Sequence, residues 1–325
     1  MRTRRLFGAL LVIGALIVPS SPGVQAQAPR FTTPWGHPDL QGTWNNQTPV
    51  PLERPKELGN KAFFTRAEAL EFERTHIKRL VEFSDMFDPV YPCKGDAAGC
   101  IESFALWMDQ ARISPNLRTS LVVDPADGQI PYSPEGRTRW LSVPSMEREF
   151  FGVPSEANSP QDRSLLERCI AAGGLLEPNP VYSNYHYILQ TPEHVVIASE
   201  EMHDHRIIPL DGRPHVGSNV RQWLGDSRGR WDGQTLVVET TNFNDRMRFH
   251  GATAQLRIVE RFTRRDANTI IYRATLTDPA TFTQPWTIEN ALHKSDAMIY
   301  ESNCHEGNYS LANILSAGRA AEKAK

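Results

Sequence analysis

The sequence predicts a mainly β fold: an antiparallel sheet, closed into a barrel or strongly curved, with a few peripheral helices. Three observations carry that expectation. From Tyr182 onward the chain is a succession of short alternating segments separated by turn signals, the pattern of an antiparallel sandwich or barrel. Leu256, Ile258, Glu260 and Phe262 alternate with Arg257, Val259 and Arg261, while Ile270, Tyr272, Ala274 and Leu276 alternate with Arg273, Thr275 and Thr277. Each segment therefore presents one wall to a core and the other to water. No buried parallel strand interrupts the hairpins, so curling the sheet onto itself is the cheapest way to remove its exposed edges.

The elements follow in order. Residues 1–28 read as a secretory leader. Arg2, Arg4 and Arg5 precede an apolar run from Leu6 to Val18, and Ala26-Gln27-Ala28 supplies a small-x-small cleavage site. Thr3-Arg4-Arg5-Leu6-Phe7 partly matches a twin-arginine signal, but Gly8 breaks its second apolar position, which points to the plain signal. The remaining chain, 29–325, is expected to be a single β-rich domain with a helical and irregular insertion at about residues 50–180. Asp39 to Trp44 leads into a first strand, with Trp44 as an apolar plug. Thr65 and Glu68 form a capping box for a helix whose Leu70, Ile77, Leu80 and Val81 share one stripe, placed against the outside of the sheet. Ser120 to Asp124 is a strand, followed by an Asp127-Gly128 turn and a proline-rich excursion. A second helix starts at Ser159-Pro160, carries Leu165, Leu166 and Cys169, and stops at Gly173-Gly174. Then come the hairpins: 185–190 and 195–200 about a Thr-Pro-Glu turn, an Asp232-Gly233 tight turn before Leu236 to Thr240, and a turn at 265–268. Trp286, Ile288 and Leu292 continue the period.

Removing the leader takes away three arginines and no acids, moving the formal charge from −3 to −6. A mildly acidic chain offers no footprint for nucleic acid and no polybasic membrane patch, so both partners are excluded. The leader's apolar run is shorter than a bilayer span and nothing else approaches that length, so no membrane-spanning mature form is expected. Four cysteines in an oxidising compartment make two disulfides. Cys93 and Cys100 bracket a short flexible loop and pair with each other, leaving Cys169–Cys304 as a long-range staple. The alternative for Cys304 is a nucleophile activated by His305. Adjacent residues on a strand point to opposite faces, which favours the disulfide.

Gly42-Thr43-Trp44 ahead of an antiparallel meander resembles the lipocalin-like barrels, whose first strand carries a Gly-x-Trp signature. A wider resemblance is to an uncharacterised group of exported bacterial proteins. It is carried by residues 34–44 (PWGHPDLQGTW), 206–215 (RIIPLDGRPH), 225–231 (GDSRGRW) and 304–309 (CHEGNY), and covers most of the mature chain. It implies export, periplasmic or extracellular, and a shared fold; it implies no mechanism.

The densest polar cluster runs from Glu200 to Arg206, with Asp211 and His215 close behind. On a strand, His203 and His205 share a face and could hold a divalent metal, with a third ligand from His215, His250 or a carboxylate. Without a metal, His203 is a candidate general base assisted by Asp204 or His305, while Arg206 and His215 bind the substrate. The bland alternative is an exposed turn rich in solvated charge. His305 and Glu306 lie in a segment that a disulfide would hold rigid, or else Glu306 and Asn308 only cap the last helix. Tyr185, Tyr187, Trp223 and Trp231 could line an apolar cavity or be plain core. The sequence has no Gly-x-Ser-x-Gly elbow, phosphate loop, dinucleotide fingerprint, haem motif or His-Glu-x-x-His, and no organic cofactor is predicted. The expected function is acid/base chemistry on a small organic molecule in a barrel cavity, as a lyase, isomerase or hydrolase. A lipocalin-like carrier of an apolar metabolite is the alternative.

Overall fold

Ten strands form one antiparallel sheet: β1 (Gly42–Asn45), β2 (Val122–Asp124), β3 (Tyr185–Gln190), β4 (His194–Ser199), β5 (His205–Pro209), β6 (Asp226–Asp232), β7 (Thr235–Thr241), β8 (Arg257–Asp266), β9 (Thr269–Thr277) and β10 (Trp286–Ser295). The computed structural model describes residues 31–87, 113, 116–144, 157–170, 176 and 184–323, and of residues 79–87 the backbone only. The leader and the Cys93–Cys100 pair lie outside those residues. The strand order is β5-β4-β3-β1-β10-β9-β8-β7-β6, with β2 added beside β10. The expected hairpins are all present, and the Asp232-Gly233 turn joins β6 to β7 with Gly233 at φ +57°, a left-handed conformation that suits glycine.

The two ends of the strand path converge. A Cβ on Gly229 of β6 would lie 2.7 Å from Leu210 Cδ2 and 2.8 Å from Ile208 Cγ2, so β5 and the residue after it press against β6 where only glycine leaves room. Among the described residues no ladder joins β5 to β6. The sheet is curled but not closed, so of the two expected forms, a barrel or a strongly curved sheet, it takes the second. The physical reason is local: the strands meet through the side chains of Ile208 and Leu210, and Pro209 offers no N–H for pairing.

The inward face is filled by the alternating residues. Trp44, Phe262, Ile270, Tyr272, Leu276 and Trp286 are all fully buried. Trp44 is the plug expected of it: its Nε1–H donates to Leu40 O at 2.8 Å, and the Arg264 guanidinium lies 5.3 Å from its ring.

Among the described residues there are three α-helices: α1 (Arg66–Phe87), α2 (Pro134–Ser142) and α3 (Ser310–Lys323). The capping box of α1 is formed, with Thr65 N–H donating to Glu68 Oε2 at 2.8 Å and Glu68 N–H to Thr65 Oγ1 at 3.3 Å. Its buried stripe differs from expectation. Leu70 is 53% exposed, whereas Ala69 is buried and Phe72 packs on Phe64, ring centroids 5.1 Å apart. Phe64, just before the cap, decides which face turns inward. Helix α2 arises where the sequence suggested an irregular excursion: Ser133 Oγ accepts from Gly136 N–H at 2.9 Å and Pro134 occupies the first helical position. The helix expected from Ser159 is instead a single 3₁₀ turn, Pro160–Asp162. Arg163 is extended at ψ 152°, and Ser164 opens a second box with Glu167, so two capped turns replace one helix. Among the described residues no helix is long and apolar enough to cross a membrane.

Candidate functional site

The turn between β4 and β5 carries His203, Asp204 and His205. Met202 and His203 sit at φ +56° and +54°, a left-handed conformation in which the chain reverses before β5 begins at His205. The two exposed imidazoles meet edge to face, centroids 4.7 Å apart, and His205 Nδ1–H donates to His203 O at 2.7 Å. Among the described residues no three metal-ligating side chains gather anywhere. The turn is tied to the C-terminal segment: Met202 N–H donates to Ser302 O at 2.8 Å and Ser302 N–H to Glu200 O at 3.2 Å. Three residues on, exposed His305 bonds through Nδ1 to its neighbour Glu306 O at 2.8 Å. The structure thus brings the His203 and His305 segments to one end of the sheet. The Cys169–Cys304 disulfide is formed, Cα atoms 6.0 Å apart, and anchors this strap to residues 157–170.

Arg206 does not join that cluster. One residue beyond His205, its side chain points to the opposite face, into the curl, where it is buried. Its Nη1 donates to Glu260 Oε1 at 2.9 Å, Nη2 reaches Glu260 Oε2, and Nη2 also lies 3.4 Å from Thr240 Oγ1. The Tyr272 hydroxyl donates to Glu260 Oε1 at 3.0 Å, and Ser227 Oγ pairs with Thr240 Oγ1 at 2.9 Å. Burial opposes the charge on Arg206, but Glu260 outweighs it and raises the guanidinium further; burial, then Glu260, pushes Tyr272 well above its usual range. On β3, His186 Nδ1 lies 3.0 Å from Ser199 Oγ, and burial followed by the nearby Arg206 charge pushes this imidazole down to about 3. The interior therefore contains a polar layer drawn from β3 to β9.

His215 has a different setting, half-buried on the loop before β6. Its Nδ1–H donates to Asp226 Oδ2 at 2.8 Å, and the same carboxylate accepts from Val216 N–H at 3.0 Å and Arg228 Nη1 at 2.7 Å. A carboxylate so engaged acts as acceptor, which fixes the proton on Nδ1 and leaves Nε2 with its lone pair. Nε2 faces Glu239 Oε1 at 3.8 Å. Arg257 donates to Glu239 from Nε at 3.0 Å and Nη2 at 2.7 Å, and these bonds hold that carboxyl below its usual range.

No family model, curated protein or solved structure matches the chain. Geometry is what assigns roles here. Tyr185 and Tyr187 alternate with the inward residues of β3 and face outward, Tyr187 being 39% exposed. Trp223 is packed against the core from the loop before β6. Both tyrosines therefore lie on the face opposite to buried Arg206. A shallow open groove of about 380 Å³ is lined by Pro134, Glu135, Thr138 and Arg139 of α2, none of them a candidate residue. Sequence reasoning missed His186, Asp226 and the role of Glu260. Glu260 did carry a signal, because it occupies an inward position among Leu256, Ile258 and Phe262, and a charge there requires a buried partner. Asp226 carried none, since its histidine lies eleven residues away across a loop.

Proposed function

We propose that the protein is a small-molecule enzyme of an oxidising compartment whose chemistry begins with proton abstraction by His215. The observation that carries this is the His215–Asp226 pair. Asp226, itself held by Val216 N–H and Arg228, fixes the tautomer and orientation of the imidazole, and Nε2 is left as the accepting atom. The imidazole lies between two carboxylates, Asp226 at Nδ1 and Glu239 beyond Nε2. Elimination, isomerisation and hydrolysis all share that first step. The Cys169–Cys304 disulfide supports the oxidising compartment and agrees with export. The inward face is occupied by the protein's own aromatic side chains, which supports chemistry at the outer loop rather than in a barrel cavity.

The second reading is a lipocalin-like binding protein. It is favoured by Trp44 of the Gly42-Thr43-Trp44 strand, fully buried at the base of a curled meander. One experiment separates the two. Purified protein is screened for turnover of a panel of esters, hydroxy acids and α-protic ketones, in parallel with His215→Gln. Turnover that falls about 10²–10⁴-fold in a variant with unchanged melting supports the base. Equal turnover in the variant, or ligand uptake with no chemical change, sinks it.

A further inference from the structure

A chain of polar contacts runs through the interior and is open at one point. Asn46 Nδ2–H donates to Leu176 O at 3.0 Å, the Leu176 N–H bonds to the Tyr272 hydroxyl, that hydroxyl donates to Glu260 Oε1 at 3.0 Å, and Glu260 holds Arg206. Arg206 in turn acts electrostatically on His186. The two ends of this chain return to the same pair of strands. His186 is registered opposite Trp44, and Asn46 N–H donates to Asn184 O at 3.1 Å, one inward position further along. Asn46 is 0% exposed and His186 6%. Asn46 Oδ1 and His186 Nε2 have no hydrogen-bond partner among the described residues. Buried polar atoms are as a rule paired, so two orphans on neighbouring inward positions of paired strands point to a molecule between them.

We infer that the interior of the curled sheet binds one small hydroxyl-bearing molecule that bridges Asn46 Oδ1 and His186 Nε2. The donor set defines the chemistry. Because Asn46 Nδ2 is committed to Leu176 O, Oδ1 is an acceptor and needs a donor. A neutral imidazole bonded at Nδ1 offers Nε2 as either donor or acceptor, according to its tautomer. An unprotonated anion has no hydrogen to give Asn46, a cation is repelled by the neighbouring Arg206, and an apolar molecule satisfies neither atom. A hydroxyl satisfies both. Diagonal inward neighbours on paired strands lie roughly 7–8 Å apart at Cα, a spacing that one bridging hydroxyl can span. Water and a small alcohol or polyol share this chemistry, and the site is independent of His215.

The test needs no variant to be decisive. The full chain, labelled with ¹⁵N-histidine, is taken for native mass spectrometry and for magnetisation transfer between hydroxyl protons and the His186 ring. An organic mass of one molecule per chain, released on unfolding, identifies an alcohol or polyol. A long-lived water contact at the ring without such a mass identifies water. Either upholds the site, and in a folded Asn46→Leu chain the retained mass or ring contact should be lost. No retained mass together with no long-lived hydroxyl contact at His186 overturns the inference.

Discussion

Arg206 and Glu260 stand 54 residues apart in sequence and meet inside the curl, Nη1 2.9 Å from Oε1, with the tyrosine hydroxyl of residue 272 on the same oxygen. Arg206 comes from the edge strand β5 and Glu260 from β8, six places along the strand path. The pair therefore spans the interior rather than a neighbouring rung. It holds the edge strand inward where no backbone ladder does.

Breaking this pair from one side should be costly, because the remaining charge stays buried. Arg206→Met is expected to destabilise the fold by about 3–5 kcal/mol, and Arg206→Met with Glu260→Leu by much less, since neither charge is then left alone. Urea denaturation of wild type, single and double variants measures this. A double variant as unstable as the single would show that the loss is packing, not charge.

His186 sets the acid limb of stability. Its folded form resists protonation down to about pH 3, while the unfolded chain takes up the proton near the ordinary value of 6.5. Between those values the unfolded state binds more protons, so stability falls as pH drops through the window, by at most about 1.4 kcal/mol per pH unit from this group. His186→Phe should flatten that slope. Tyr272 acts oppositely: its folded value lies well above 10, so stability is lost as pH rises past 10 and the unfolded tyrosine ionises. Chemical denaturation across the pH range reads both limbs, and an unchanged acid slope in a folded His186→Phe chain would remove His186 from the account.

Much of this was legible before the coordinates. The period-two segments that became β8 and β9 put Ile258, Phe262, Tyr272 and Leu276 inward because alternation is dictated by the pleat, and Cys169–Cys304 followed from elimination among four cysteines. Local capping chemistry was legible at Thr65 and misleading at Ser159, where a second cap at Ser164 restarts the turn before a helix can propagate. What the sequence could not show is anything that depends on how far the sheet curls. That Arg206 finds Glu260 and that Gly229 receives Ile208 are both consequences of β5 meeting β6, and no local pattern encodes that approach.

The disulfide should be a fastener of the C-terminal strap more than of the sheet. Besides the S–S bond, the strap is held at Glu200–Met202 by Ser302 and, through α3, by Arg319 donating to Asn158 O at 2.8 Å and Ala157 O at 2.9 Å. Cys304→Ser is expected to lower stability by about 2–5 kcal/mol at most. Amide exchange should quicken first at Tyr300 to Asn313 and at Met202, with β8 and β9 unchanged. Uniform quickening over the whole sheet would instead make the bridge a global staple.

Gly229 offers the sharpest test of the curl itself. Its Cβ position is occupied by Leu210 at 2.7 Å and Ile208 at 2.8 Å, closer than carbon atoms normally approach, so Gly229→Val must push β5 outward or strain β6. Overpacking of this kind costs about 1–3 kcal/mol. Because Arg206 is on the same short strand as Ile208, the displacement should also loosen the Arg206–Glu260 pair, and the acid sensitivity set by His186 should weaken with it as the Arg206 charge moves away. Arg230→Val, one position further on the exposed face of β6, supplies the control and should fall within about 0.5 kcal/mol of wild type. If Gly229→Val melts like the control, the two ends of the sheet are not in contact in solution, and the polar layer must be held by something other than the curl.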